Sequence, residues 1–498
     1  MGNKKPQTGN QTVDSDLMKY CEIRNGEFVR YHGKSSVVSM PPSVTTVADG
    51  AFRGNHRLTQ VILGKNVSVI RPNAFRDCNN LQSVVFPSGL HAVGDDAFRG
   101  CTKLTKALLP EGTAFLGKGV FRDCTSLQEV VFPSTLLQIG AYAFCGCSAL
   151  VRAALPESVL SLQQGIFFQC TSLKEVSLSS SLQSVGRYAF GGCRSLKELI
   201  LPDTVTYLGN GALSECRSIE RVKISKLVRF VGDYTFACCE SLKEIELPVG
   251  ITYIGIDSFC GCFSLEAITI PETLLHIGPS AFLNCKKLRR LTLPKSVREL
   301  GKRSFAFCSS LESVEINGEL GAIEDECFHS CFALRQICLP NSLKRIGEKA
   351  FWGCISLESI CLSKQLELIE EYAFANCRSL SEISLPQGLH HVEHSAFMNC
   401  VSLKTAIFPN RRFRGERALF AGCNQLETLV LPDANRLFRY RKEYWKAPAK
   451  TEVIGHTELI RASILEKLED KTLDPQKREE LEGLLKKLKP GKRAGYQK

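Results

Sequence analysis

Cysteine offers this chain its most versatile chemistry: a thiolate can attack an electrophile, ligate a soft metal or close a disulfide. The 498 residues contain 23 of them. Sixteen recur at steps of 23 residues, from Cys78 to Cys423. Such regularity describes packing, a small apolar thiol at a crowded corner, better than reactivity. One position in such a ladder also cannot pair with both neighbours. Three of the remaining thiols adjoin ladder members, in the C-x-C pairs Cys145-Gly146-Cys147 and Cys260-Gly261-Cys262 and the vicinal pair Cys238-Cys239. None has the C-x-x-C spacing of a zinc ribbon. His390-His391-x-x-His394 has the look of a metal-binding run, but no matched carboxylate or thiol spacing accompanies it. The chain has no phosphate loop, no G-x-S-x-G, no H-E-x-x-H and no dinucleotide fingerprint. Its acids are scattered over variable positions. The expectation is a non-enzymatic protein, with no catalytic, cofactor-binding or metal-ligating residue to assign and no small-molecule substrate.

The positions of the thiols follow from a larger period. Phe52, Phe75, Phe98 and so on to Phe420 are spaced by 23 residues, with Leu213 the one exception, and make seventeen units without insertion or deletion. A fixed period in this range means a solenoid, whose units have no core of their own and stack on their neighbours. In the unit Leu288 to Cys308, Leu291 and Leu293 alternate in strand fashion, so a short strand runs through about Arg290 to Leu293. Pro294 ends it. Val297 and Leu300 follow, Gly301 allows the bend at the next corner, and Phe305 and Cys308 turn inward. Equivalent side chains then stack about 4.8 Å apart along a parallel ladder.

The recurring A-F-x-x-C-x-x-L, as in Ala97-Phe98 to Cys101 and Leu104, resembles the 23-residue leucine-rich repeats of the bacterial surface-antigen (BspA-like) family. The resemblance runs from about Val37 to Pro432, and Ile23 to Gly33 is similar to the family's lead-in. It implies an α/β-type solenoid, a leucine-rich-repeat parallel β-sheet superhelix with a short irregular or 3-10 convex side and C-terminal helices. Unit eight departs, with Leu213 and Ile219, and the last unit carries Arg412 and Gly415 where apolar residues belong. The family's best-known members are exported adhesins. This chain opens on a polar stretch without a secretory signal, and its many thiols favour a reducing cytosol, so adhesion at the cell surface is the alternative reading.

The ends of a stack need caps. The expected organisation is a disordered tail (1–16), a capping hairpin turning at Asn25-Gly26 (17–36), the repeats (37–432), a capping helix (433–446), a linker (447–455), a helical hairpin (456–489) and a basic tail (490–498). Asp474-Pro475 reads as the start of the second hairpin helix. The net charge is +12, but seventeen lysines and arginines against ten acids lie from Arg436 onward. The repeats are nearly neutral, which argues against a nucleic-acid partner. The run Arg436 to Lys442 mixes bases with aromatics and suits either phosphate contact or a solvated face of the cap. No stretch is long and apolar enough for a membrane span.

A protein partner is the remaining class. One outward row of strand positions reads Ile62, Val85, Leu108, Val131, Ala154, Ser177, Ile200 and then turns polar through Lys223 and Glu246. The row before it reads Lys106, Glu129, Arg152, Glu175, Glu198, Arg221 and Glu244. An apolar strip bordered by charge is how protein-binding patches are built. The candidate contact residues are Ile62, Val85, Leu108, Val131, Ala154 and Ile200, with Lys106, Glu129 and Arg152 on the border. In the same outward row Cys338 and Cys361 fall on adjacent strands, the only cysteines expected to face solvent side by side.

Overall fold

The repeated sequence builds the same turn of chain each time. A computed structural model describes residues 19–408, 414–431, 441–469 and 474–488. The tail 1–16, most of 433–446, the basic run from Arg436 to Arg439 and the tail 490–498 lie outside the described residues. The chain divides into two units, Met1–Gly250 and Ile251–Lys498.

Each turn contributes three rungs. The first is the expected strand, such as Arg290–Leu293, which pairs in parallel with Ser313–Ile316. The second is a two-residue strand that the sequence reading did not separate out. Thr46–Val47, Val69–Ile70, Ala92–Val93, Phe115–Leu116 and Gln138–Ile139 pair in parallel one after another. The third is the turn around the ladder phenylalanine. The amides of Asn73, Phe75 and Asp77 donate to the carbonyls of Asp95, Ala97 and Arg99 one turn along. Asn73 and Asp77 have φ of 55° and 61°. The left-handed residues aim alternate N–H groups along the stack, while Arg76 and Cys78 close back on Asn73 and Phe75. The expected short irregular or 3-10 convex side is, among the described residues, a two-residue strand followed by a turn closed by i to i+3 hydrogen bonds, with no 3-10 helix.

Gly301 also acts otherwise than expected. Its φ is not in the left-handed region, which is occupied by Arg303 and Phe307 instead. A Cβ on Gly301 would lie 2.5 Å from the Gly278 carbonyl carbon. Glycine is required there by the close approach of the neighbouring turn's backbone, not by a bend.

The core is two parallel spines. Phenylalanine rings from Phe52 to Phe190 stack at centroid separations of 4.9 to 5.7 Å. In the second unit Phe259 to Phe420 stack at 5.1 to 5.8 Å. Leu213 takes the place of a ring and Ile219 that of the leucine six residues on, both fully buried. The spine thiols are buried beside them, and most are hydrogen-bond donors. The Cys101 Sγ donates to the Phe75 carbonyl oxygen at 3.2 Å, an oxygen that also accepts from the Cys78 amide.

At the head, Cys21–Arg24 and Glu27–Tyr31 form an antiparallel hairpin around Asn25-Gly26, both at positive φ. Its second strand pairs with Thr46–Val47, and Phe28 stacks 4.9 Å from Phe52, so the hairpin begins both a ladder and the ring spine. In place of the ladder cysteine, Asn55 accepts from the Arg57 and Leu58 amides.

At the other end the degenerate last unit makes room for an indole. Gly415 occupies the rung next to Val392. Trp445, fully buried, stacks on Phe408 at 5.3 Å and donates Nε1–H to the Gly415 carbonyl. The Trp445 carbonyl accepts from the Phe420 amide, replacing the rung a further repeat would supply. The expected linker 447–455 is corrected: Glu452–Gly455 is a strand, paired in parallel with Thr428–Leu431. It continues the ladder because Val453 and Ile454 match the register of Leu429 and Val430. The helices His456–Glu469 and Pro475–Lys487 follow, the first packing on these strands. Asp474 caps the second by accepting from the Gln476 and Lys477 amides.

Candidate functional site

The outward face of the strands in the first unit follows directly from their pleat. In Lys106–Leu108, Ala107 is buried while Lys106 and Leu108 face water. Val85, Leu108, Val131 and Ile200 are 48, 52, 45 and 49% exposed, far above the few per cent of the core. Ile62 is half-buried and Ala154 exposed. Ile62 is the register partner of Val85 and Leu108 that of Val131. The six expected contact residues thus share one face.

The face is not one continuous sheet. Hydrogen-bonded pairing stops between Ser83–Val85 and Lys106–Leu108, and again between Glu129–Val131 and Arg152–Ala154. Both breaks follow a strand that continues into phenylalanine. Phe86 and Phe132 stand where Leu63 and Leu109 stand in the flanking turns, and their rings meet Phe98 and Phe144 edge-on at 5.7 and 5.5 Å. A third break separates Glu175–Ser177 from Glu198–Ile200. A concavity of about 650 Å³ opens there, lined by Lys174, Glu175, Ser195, Lys197, Glu198 and Ile200 among others. The sequence reading missed Lys174, Ser195 and Lys197. Its only signal was Ser177, the one polar interruption in the apolar row.

The charged border is paired across strands. Lys106 Nζ lies 2.8 Å from Glu129 Oε2, Arg152 Nε 3.1 Å from Glu175 Oε2, and Arg221 Nη1 3.2 Å from Glu198 Oε1. Each bridge joins two strands that also share backbone hydrogen bonds. Exposed bridges of this kind contribute about 0–1 kcal/mol each. Their larger effect is to leave the border with little net charge.

Most of the other residues with chemical potential are occupied structurally. Burial pushes the Cys78, Cys216, Cys308, Cys327 and Cys354 thiols up to about 12. His391 meets Glu416 at 3.1 Å and His394 meets Glu371 at 3.5 Å, so the two histidines serve different carboxylates. Among the described residues, no group of three or more His, Cys, Asp or Glu is arranged to hold a metal ion. No helix among them is long and apolar enough to cross a membrane. Val430 is fully buried and Ile407 half-buried beneath the added strand and helix. Cys338 and Cys361 are register partners on adjacent strands and are exposed.

Comparison with known proteins bears on the whole array. A model of the BspA type leucine rich repeat region matches residues 22–151, 137–262, 229–358 and 344–441. No curated protein matches. Among solved structures, a leucine-rich repeat protein from Bacteroides ovatus is 24% identical, covers 86% of this chain and 94% of its own, and superposes with a TM-score of 0.48. The leucine rich repeat protein of T. pallidum is 34% identical over 34% of this chain and 82% of its own, with a TM-score of 0.33. A leucine rich cell surface protein from Faecalibacterium prausnitzii is 17% identical, covers 91% and 99% of the two chains, and gives a TM-score of 0.33. The family match spans the head hairpin and the repeats together, with the phenylalanine and thiol spines inside it, and on that match the chain belongs to the BspA-type leucine-rich repeat family.

Proposed function

We propose that this chain is a non-catalytic interaction protein that holds a protein segment against the sheet face of its first unit. The observation that carries the reading is the exposure of Val85, Leu108 and Val131 on successive strands. Contiguous exposed apolar surface marks contact sites. The paired border supports a partner selected by shape and apolar contact more than by charge. The concavity beside Ile200 would receive a projecting side chain. The test replaces Val85, Leu108 and Val131 by Asp together. Thermal stability should stay nearly unchanged, since the three side chains are exposed, and capture of the partner should be lost. Unfolding of the variant, or undiminished capture, would refute the assignment.

A second reading keeps the same face but puts it outside the cell, where it would serve in adhesion. It is supported by family membership and by the state of the thiols. Each spine thiol is buried and most donate to a carbonyl, so they would persist in an oxidising medium as readily as in the cytosol. The argument from cysteine content for a reducing compartment thereby loses its force. Surface proteolysis of intact cells decides between the two: cleavage places the chain outside, and full protection places it inside.

A further inference from the structure

We propose that Cys338 and Cys361 form a dithiol exchange site on the sheet face of the second unit, at which a low-molecular-weight disulfide of the glutathione class is reduced as the two thiols close into a cross-strand disulfide. Three observations lead there. The strands Gln336–Cys338 and Ser359–Cys361 are parallel and in register, with Cys338 directly opposite Cys361. Register partners on adjacent parallel strands lie about 4.8 Å apart, inside the range of Cα separations that disulfides span. The neighbouring Cys361 thiol, together with partial burial, raises the Cys338 pKa.

The contrast with the other cysteines is the second argument. Cys338 and Cys361 are the exposed ones; the remainder are buried or half-buried. A spine thiol such as Cys354 donates to the Phe328 carbonyl at 3.2 Å and is out of reach of solvent. The outward pair has no such protection. Of its neighbours in the same row, the Glu315 carboxylate already accepts from Thr292 and Asn317. The nearby charges of Arg335 and Glu358 face each other at 3.5 Å.

Two thiols could otherwise serve a metal site. Zinc takes four ligands in structural sites, and among the described residues no third His, Cys, Asp or Glu joins this pair in an arrangement that could hold a metal. Exchange needs only two sulfurs. One thiolate attacks a sulfur of the small disulfide, forming a mixed disulfide and expelling one glutathione thiolate. The second cysteine thiolate then attacks the protein sulfur of that adduct and expels the other glutathione. The protein dithiol loses two electrons to the small disulfide, and the two protons from the cysteines end on the two glutathione thiols. The attacking sulfur must be a thiolate, so the first step is faster as pH rises.

The test incubates the full native chain in glutathione redox buffers and follows it by mass spectrometry. The expected result is loss of two hydrogens without a retained adduct, and a disulfide-linked peptide pair containing Cys338 and Cys361. The C361S variant should accumulate a single glutathione adduct on Cys338 at least tenfold above the unsubstituted chain, because the resolving thiol is gone. Both side chains are exposed, so the substitution should leave thermal stability unchanged. The proposal is overturned if the unsubstituted chain retains glutathione on either residue to the same extent as C361S. It is equally overturned if both thiols stay reduced in fully oxidised glutathione, or if the linkage that forms joins other cysteines.

Discussion

The Tyr142 ring lies flat against the backbone of Gly165, one turn along the stack, so that a Cβ on Gly165 would sit 2.5 Å from two ring carbons. Gly165 has φ of +59°, and Tyr142 itself has φ of 58°. Tyr188 covers Gly211 in the same way. Bulky and absent side chains alternate along this corner because each left-handed residue projects over the next turn.

Gly165→Ala should therefore destabilise the first unit by about 1–3 kcal/mol, from left-handed strain and overpacking together. In a Tyr142→Ala background the same substitution should cost only the strain. Urea denaturation of the two single variants and the double variant measures the difference. Equal costs in both backgrounds would mean that the ring gives way freely.

The thiol spine predicts a steep alkaline limit. The Cys354 thiol is raised by burial from 9.0 to about 12. The folded chain then holds protons that the unfolded chain releases, so this contribution is complete below pH 9.0 and is lost as pH rises toward about 12. Each such thiol removes up to about 1.4 kcal/mol per pH unit in that window. The melting temperature under reducing conditions should fall steeply between pH 9 and 12. The Cys354→Ala variant, already weaker by about 1–2 kcal/mol at neutral pH through loss of its hydrogen bond and packing, should lose less over the same interval. A flat profile to pH 11 would contradict the buried donor thiols.

Glu393 predicts the opposite kind of substitution effect. Burial, with Glu370 and Glu416 nearby, raises its carboxyl above the ordinary value, opposed by the Glu371 amide and by His391. The folded form favours the proton, so the stabilisation is present below the unfolded pKa and lost as pH rises through the folded one. At neutral pH the ionised group is a cost. Glu393→Gln keeps an oxygen for the Glu371 amide, which now sits 3.1 Å from the carboxylate. The variant should gain up to about 1 kcal/mol at pH 7 and show no gain at pH 4. Calorimetry at the two pH values checks it, and a loss at pH 7 would show that the carboxylate is needed charged.

Trp445 predicts a local rather than a global lesion. Trp445→Ala removes the indole from Phe408 and Phe420 and its donor from the Gly415 carbonyl. The loss should be about 3–5 kcal/mol, confined to the last turns. Hydrogen exchange should accelerate in Arg414–Gly415 and Thr428–Leu431 and stay unchanged at Phe282 and Phe305. Uniform acceleration throughout the second unit would place the cap's influence much further into the stack than its contacts reach.

The amino-acid sequence alone carries the period, the register and the two spines, because an uninterrupted 23-residue step puts like side chains in like positions and leaves stacking as the only way to bury them. It also determined the outward face, since the strand pleat exposes Leu108 once Ala107 is committed to the core. Features that depend on the neighbouring turn appear only once the turns are packed. The Cys101 thiol acquires its acceptor from Phe75, 26 residues earlier. Gly301 is required by the backbone of Gly278. Phe86 and Phe132 coincide with breaks in a face that a list of outward residues makes continuous. Glu452–Gly455 reads as a linker in one dimension and becomes a strand because the exposed edge of Thr428–Leu431 offers unpaired amides and carbonyls in matching register. A period records what each turn shares with the others, and these features arise where the shape of one turn meets the particular shape of the next.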